Sequence, residues 1–195
     1  LASPLIGEIA PQTALEYTLY SGPAPSLVKG DGPIVWSLVN GPEGMTIDSG
    51  SGVVSWDAPV CSRAAYTIIL KAQNAVGYDT VTWHLEVPIG YEAAVQADMV
   101  SAPAGTPVNL AGSAQWLYKS GPAAHVPVDI RINVQNTIRT LHATTDAAGQ
   151  FSTVFYPLDN EAGLYEVAAK HPQAVVGEAQ DGFQLYAVLS DIDKQ

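Results

Sequence analysis

The chain has 195 residues, of which 47% are hydrophobic and only 14% charged, and it carries a net charge of -11. That apolar share is enough for a packed core and excludes charge-driven disorder, while 8 scattered Lys and Arg residues leave no basic stripe for nucleic acid. A single cysteine, Cys61, excludes an intrachain disulfide, and no apolar run reaches membrane-spanning length.

In chain order the pattern is strand after strand. Alternation and turn residues predict strands over 14–20, 34–38, 44–48, 52–56, 65–74 and 77–87. The last contains Val81, Trp83, Leu85 and Val87 at period two, the spacing of one sheet face. Between the strands lie Gly30-Asp31-Gly32-Pro33, Asn40-Gly41-Pro42 and Asp48-Ser49-Gly50-Ser51-Gly52. Gly supplies positive φ, Pro presets φ, and Asp or Asn bonds back to the local backbone. Pro88-Ile89-Gly90 closes this pattern, and a fresh one begins at Tyr91. Strands are predicted over 91–101, 106–118, 126–135, 137–145, 149–156, 163–171 and 182–189. Val126, Val128, Ile130, Ile132 and Val134 give the clearest alternation; Pro127, without an amide hydrogen, predicts that this strand starts at a sheet edge. Two halves of about 90–105 residues suit two sandwiches. The expected fold is therefore all-β, two consecutive immunoglobulin-like β-sandwich domains, 1–88 and 89–195. The short link Val87-Pro88-Ile89-Gly90-Tyr91 predicts a narrow range of extended orientations.

The segments Val35-Trp36-Ser37-Leu38, Gly41-Pro42-Glu43-Gly44-Met45-Thr46-Ile47-Asp48 and Gly52-Val53-Val54-Ser55-Trp56-Asp57-Ala58-Pro59 resemble the cadherin-like and Ig-like repeats of bacterial and archaeal surface proteins. So does Tyr66-Thr67-Ile68-Ile69-Leu70-Lys71-Ala72-Gln73-Asn74, the resemblance covering residues 15–88. It departs at Cys61-Ser62-Arg63-Ala64-Ala65, where the family's loop carries a glycine. The second half is similar to bacterial Ig-like and macroglobulin-type modules in Ala104-Gly105-Thr106-Pro107-Val108, Thr144-Thr145-Asp146-Ala147-Ala148-Gly149-Gln150-Phe151 and Gly163-Leu164-Tyr165-Glu166-Val167. The resemblance implies a non-catalytic module of a secreted or surface protein. It also implies inward-facing Trp36, Leu38, Met45 and Ile47, and a Tyr165 hydroxyl tied to a neighbouring loop.

Candidate sites are few. His84, His125, His142 and His171 form neither His-x-His nor His-Glu-x-x-His, so no zinc pattern is present, and no nucleophile elbow or phosphate loop occurs. Cys61 beside Arg63 has the makings of a low-pKa thiol; a half-buried small residue is the simpler expectation. Calcium is the one cofactor to weigh, through Asp79, Glu86, Glu92, Asp98, Asp191 and Asp193, but these do not alternate as a dense carboxylate cluster does. Trp36 and Trp83 are in phase with the core and Trp56 matches the fold motif, leaving Trp116, next to Tyr118, as the one ring with an open facing. The expectation is no catalytic, cofactor or metal site and no enzyme activity. The expected role is a spacer or interaction module of an adhesin or surface-layer type protein, extracellular or at the cell surface. Its partners would be neighbouring domains of the parent chain, another surface protein or a polysaccharide. The alternative is an accessory, carbohydrate-binding pair beside a polysaccharide-acting enzyme. Both ends read as those of a fragment.

Overall fold

The computed structural model describes residues 1–175 and 177–187. It divides into two compact units, Leu1–Gly90 and Tyr91–Gln195, and the described residues contain strands and turns with no helix.

The first unit comprises β1 (Leu5–Ile6), β2 (Gln12–Thr13), β3 (Tyr20–Ser21), β4 (Leu27–Lys29), β5 (Val35–Asn40), β6 (Thr46–Ile47), β7 (Val54–Trp56), β8 (Tyr66–Gln73) and β9 (Tyr78–Glu86). One sheet runs β2-β9-β8-β5 and the other β3-β7-β6, with β1-β4 as a separate pair. β2 lies parallel to β9, and the other pairings are antiparallel. Ile68, Leu70, Trp83 and Leu85 point between the sheets, as their period-two spacing requires. Trp36 is buried as well, and Gly52 is what lets it lie flat. Gly52 sits at φ +77, and a Cβ there would come within 2.7 Å of the Trp36 ring, so the position needs glycine for both backbone and space. Met45 is buried and Ile47 and Leu38 half-buried, and Trp56 meets Tyr66 edge-on at 5.1 Å.

The predicted strand 14–20 is not one. After β2 the chain turns at Tyr17, which has φ 53. The turn sends Ala14, Glu16 and Tyr20 inward and leaves Leu15 and Leu19 exposed. The short β1, β2 and β4 lie where no strand was predicted, because segments of two or three residues carry no readable period.

The second unit comprises β10 (Tyr91–Ala97), β11 (Ser101–Pro103), β12 (Val108–Trp116), β13 (Pro127–Val134), β14 (Thr137–Thr144), β15 (Gln150–Phe155), β16 (Gly163–Lys170) and β17 (Asp181–Tyr186). Its sheets run β10-β12-β15 and β11-β17-β16-β13-β14. The predicted strand 91–101 breaks into β10 and β11, the first antiparallel to β12 in one sheet and the second parallel to β17 in the other. In both units a strand near the start runs parallel to the last strand while the sheets are otherwise antiparallel. That is an immunoglobulin-like arrangement. Positions 188 and 189 of the predicted last strand lie outside the described residues.

β13 is an interior strand, between β14 and β16, not an edge. Pro127 is accommodated because it pairs only with Thr144 of β14; the pairing with β16 starts two residues later, at Asp129. Its missing donor therefore costs nothing on that side. Gly112 makes room between neighbouring strands of its own sheet: a Cβ there would meet the Phe151 ring at 2.4 Å and the Ala94 carbonyl oxygen at 2.0 Å. The turn into β15 follows its sequence closely. Gly149 has φ +71, and Asp146 Oδ1 accepts from the Ala148 and Gln150 amides at 2.8 and 2.9 Å.

Candidate functional site

In the first unit the chemically distinctive group is Glu16, a carboxylate only 1% exposed. Oε1 accepts from the Cys61 amide at 3.2 Å and Oε2 from the Gly90 amide at 2.9 Å. A buried carboxylate is tolerated when amide donors replace its water, so Glu16 clasps the 14–18 turn, the loop before β8 and the end of the unit. The backbone adds Tyr17 N to Pro59 O at 2.8 Å and Ala14 N to Glu86 O at 2.8 Å. Nothing in the sequence marks this one acid among 19 Asp and Glu; a Tyr-rich turn after a very short strand is the only local signal.

Cys61 is buried. Burial, and then the Glu16 charge beside it, push its thiol up from the ordinary value. This is the opposite of nucleophile activation, which needs a stabilised thiolate. Trp36, Trp56 and Trp83 are all core residues. Trp116 is half-buried and Lys119 Nζ lies 4.7 Å from its ring centre.

The histidines do different things. His84 is exposed on β9, and His125 sits at φ 58 in the turn before β13. His142 Nδ1 lies 2.8 Å from Asp129 Oδ1. His171 is buried, accepts from the Gln173 amide on Nδ1 at 3.0 Å and lies 4.5 Å from the Tyr91 ring. Of the acids weighed for calcium, Asp79 accepts from the Ile6 amide at 2.8 Å and Asp98 pairs with Asn109. Glu86 and Glu92 are exposed, and Asp191 and Asp193 lie outside the described residues. Tyr165 donates to the Glu161 carbonyl at 3.3 Å, the loop tie expected from the sequence.

The surface feature that sequence reasoning passed over is the outer face of β10-β12-β15. Three adjoining cavities of about 450, 480 and 320 Å³ lie on it. The first shares Ala94, Ser113 and Gln180 with the third, and Ala111 and Gln150 with the second, so together they form one open trough. Its floor is Ala94 and Ala111, and the longer side chains of Gln96, Gln115 and Gln150 rise around it. Gln180 closes one side. Its Oε1 accepts from Val95 N at 3.0 Å and Ala169 N at 2.9 Å, and its Nε2 donates to the carbonyls of Ala93 and Ala169 at 2.9 and 3.0 Å.

No family model and no curated protein matches the chain. Among solved structures, it is similar to a Bacteroides fragilis protein assigned as an alpha-galactosidase/melibiase, with 27% identity over 43% of this chain and 17% of that one, at a TM-score of 0.36. The chain thus spans under a fifth of that protein's length. It is also similar to the D00-D0 domain of intimin (14% identity, 93% of this chain and 100% of that one, TM-score 0.38). A third likeness is to Dscam (12% identity, 95% and 46% covered, TM-score 0.40).

Proposed function

We propose that this chain is a non-catalytic spacer and interaction module, of the cadherin-like and bacterial Ig-like kind, within a larger secreted or cell-surface microbial protein. Residues 1–88 and 89–195 are its two domains. Its partners are neighbouring domains of the parent chain and a surface protein or polysaccharide. The observation that carries this reading is the parallel pairing near the two ends of each unit. Gln12 and Thr13 pair with Leu85 and Glu86, and Ser101 to Pro103 pair with Gln184 to Tyr186. A pull along the chain draws parallel neighbours past each other, so their hydrogen bonds break together in shear rather than one at a time. That arrangement suits a module that transmits tension along the chain.

Single-molecule extension of the full chain tests the proposal. Two discrete unfolding steps are expected, each lengthening the chain by roughly 30 nm at ~3.6 Å per residue. Featureless extension at low force would remove the spacer role. A second reading, an accessory to a polysaccharide-acting enzyme, is favoured by the trough on the second unit; under it the chain binds glycan and releases no reducing sugar.

A further inference from the structure

We propose that Asn40 is a self-modifying site: the backbone nitrogen that follows it displaces its side-chain amide in the folded chain and converts it to aspartate and isoaspartate. Asn40 ends β5 and is followed by Gly41, and both residues are exposed. It is the one asparagine in the sequence that precedes a glycine; the others precede Ala75, Leu110, Val134, Thr137 and Glu161. Asparagine is among the chemically labile side chains, and its ring closure is fastest where the next residue puts no bulk beside the attacking nitrogen.

The fold itself calls for that glycine. A Cβ at position 41 would lie 3.2 Å from both Leu38 Cδ2 and Met45 Sδ, inside the optimum of about 3.5–4.0 Å. A bare Cα lets the turn close over Leu38 and the buried Met45. The Gly41 amide makes no hydrogen bond to any described residue, so its nitrogen is open to deprotonation and attack. The Asn40 side chain is lightly held: Nδ2 donates to the Thr67 carbonyl at 2.5 Å, and Oδ1 accepts from no described residue. Asn74 shows the opposite case. Its Nδ2 donates to the carbonyls of Ala2 and Asp31 while its Oδ1 accepts from the Val76 and Gly77 amides.

The chemistry needs only base and water. Base removes the Gly41 amide proton, and the nitrogen attacks Asn40 Cγ. The N–Cγ bond forms, the Cγ–Nδ2 bond breaks, and ammonia leaves with a proton. The nucleophile is part of the same chain and already at hand. Water then opens the cyclic imide at either carbonyl. Opening at Cγ gives aspartate. Opening at the backbone carbonyl of residue 40 routes the main chain through the side chain and gives isoaspartate. The net change takes in a water and releases an ammonia.

The product works against the pairing on which it sits. Asn40 is the last residue of β5 paired to β8, opposite Ile69 and just beyond the register shift after Leu38. β5 is the edge of its sheet, with β8 as its ladder partner. At that corner a donor to the Thr67 carbonyl is exchanged for a carboxylate, which when ionised only accepts. Isoaspartate also adds a methylene to the main chain where the register already slips. Conversion therefore loosens the β5–β8 corner and adds a negative charge to a chain already at -11.

The test is incubation of the folded full chain at mildly alkaline pH in heavy-oxygen water, followed by peptide mapping with mass spectrometry. Asn40 is expected to convert ahead of every other asparagine, with heavy oxygen taken up at that residue and a rate that rises with pH. Hydroxylamine, which traps the imide, should cut the folded chain between Asn40 and Gly41 and nowhere else. Asn40→Gln, which must close a larger ring, should lose both conversion and cleavage there with the fold intact by circular dichroism. Asn109→Ser should change neither. Conversion of Asn40 no faster than that of the other asparagines overturns the proposal. So does an Asn40 that persists in the folded chain while the same chain converts in denaturant, because the Thr67 bond would then be a protection. Faster amide hydrogen exchange around Ile69 is expected in the converted chain; equal exchange before and after conversion would overturn the loosening of the corner.

Discussion

The two units share one plan but stabilise it differently. The second has long ladders around one continuous core running from Tyr91 to Leu185. The first splits its interior into a main cluster around Ile68, Leu70 and Trp83 and a small satellite of Ile6, Trp36 and Ala72. Of its nine strands, six have only two or three residues. Where ladders are this short, large side chains and loop clasps must replace them: three of the four tryptophans and the Glu16 carboxylate belong to this unit. An immunoglobulin-like sandwich is therefore open to two solutions, one built on backbone pairing and one on a few heavily used side chains. The second solution should be the more fragile to single substitutions.

The largest effect expected is that of Trp83→Ala. Removing a ring that is only 2% exposed should cost the first unit about 3–5 kcal/mol, a large part of a typical domain's stability. Denaturant unfolding of the full chain, followed by proteolysis of each half, should show the first unit lost and the second retained. A loss below about 0.5 kcal/mol would mark the ring as a surface group. The second unit should be broken instead by excess volume. Gly112→Ala forces a methyl against Phe151 and the Ala94 carbonyl, and should cost about 1–3 kcal/mol, confined to that unit's transition.

Glu16→Gln is the sharper probe of the clasp. It keeps the shape but exchanges charged for neutral acceptance and turns an amide donor toward one of two backbone donors. A loss of about 1–2 kcal/mol is expected, with faster amide hydrogen exchange at Cys61 and Gly90. Equal exchange in the two proteins would show that the carboxylate does not hold these loops.

The smallest effect is a pH dependence of the second unit. Burial raises the Glu161 carboxyl, but the Arg139 hydrogen bond, the Leu158 amide and the Arg139 charge outweigh it, and the net shift is downward from 4.5. A carboxyl lowered on folding stabilises above its unfolded pKa, and that stability is lost as pH falls through the folded value. The second unit should therefore be level above about pH 4.5 and weaken below it, and Arg139→Ala should flatten that slope. At the alkaline end, burial and then the Glu161 charge push the Tyr165 phenol up to about 12. Unfolding releases its proton from pH 10 upward, so stability falls between 10 and about 12; phenolate absorbance in the folded chain should lag accordingly.

Legibility in the sequence followed strand length. Val126 to Val134 and Val81 to Val87 alternate over enough residues to fix both the strand and its inward face. Tryptophans in phase with those runs were readable as core. The 14–20 segment misleads because Leu15, Tyr17 and Leu19 alternate like a strand, whereas the positive φ of Tyr17 turns the chain and buries Glu16 instead. The trough was not legible at all. Outward Gln, Ser and Ala are what any solvated sheet face shows, and only the strand register reveals that the small residues line up as a floor.

Gln180 has a consequence beyond its own unit. A strand at the margin of a sheet exposes a row of unpaired donors and acceptors that invites another chain to pair with it. On β10 part of that row is already taken. Gln180 engages the Ala93 carbonyl and the Val95 amide with one side chain, imitating a peptide group, and Asp181 accepts from the Ala97 amide at 2.8 Å. Two consecutive side chains thus stand in for a missing strand. They shield this margin of the sheet from pairing with the strand of another chain.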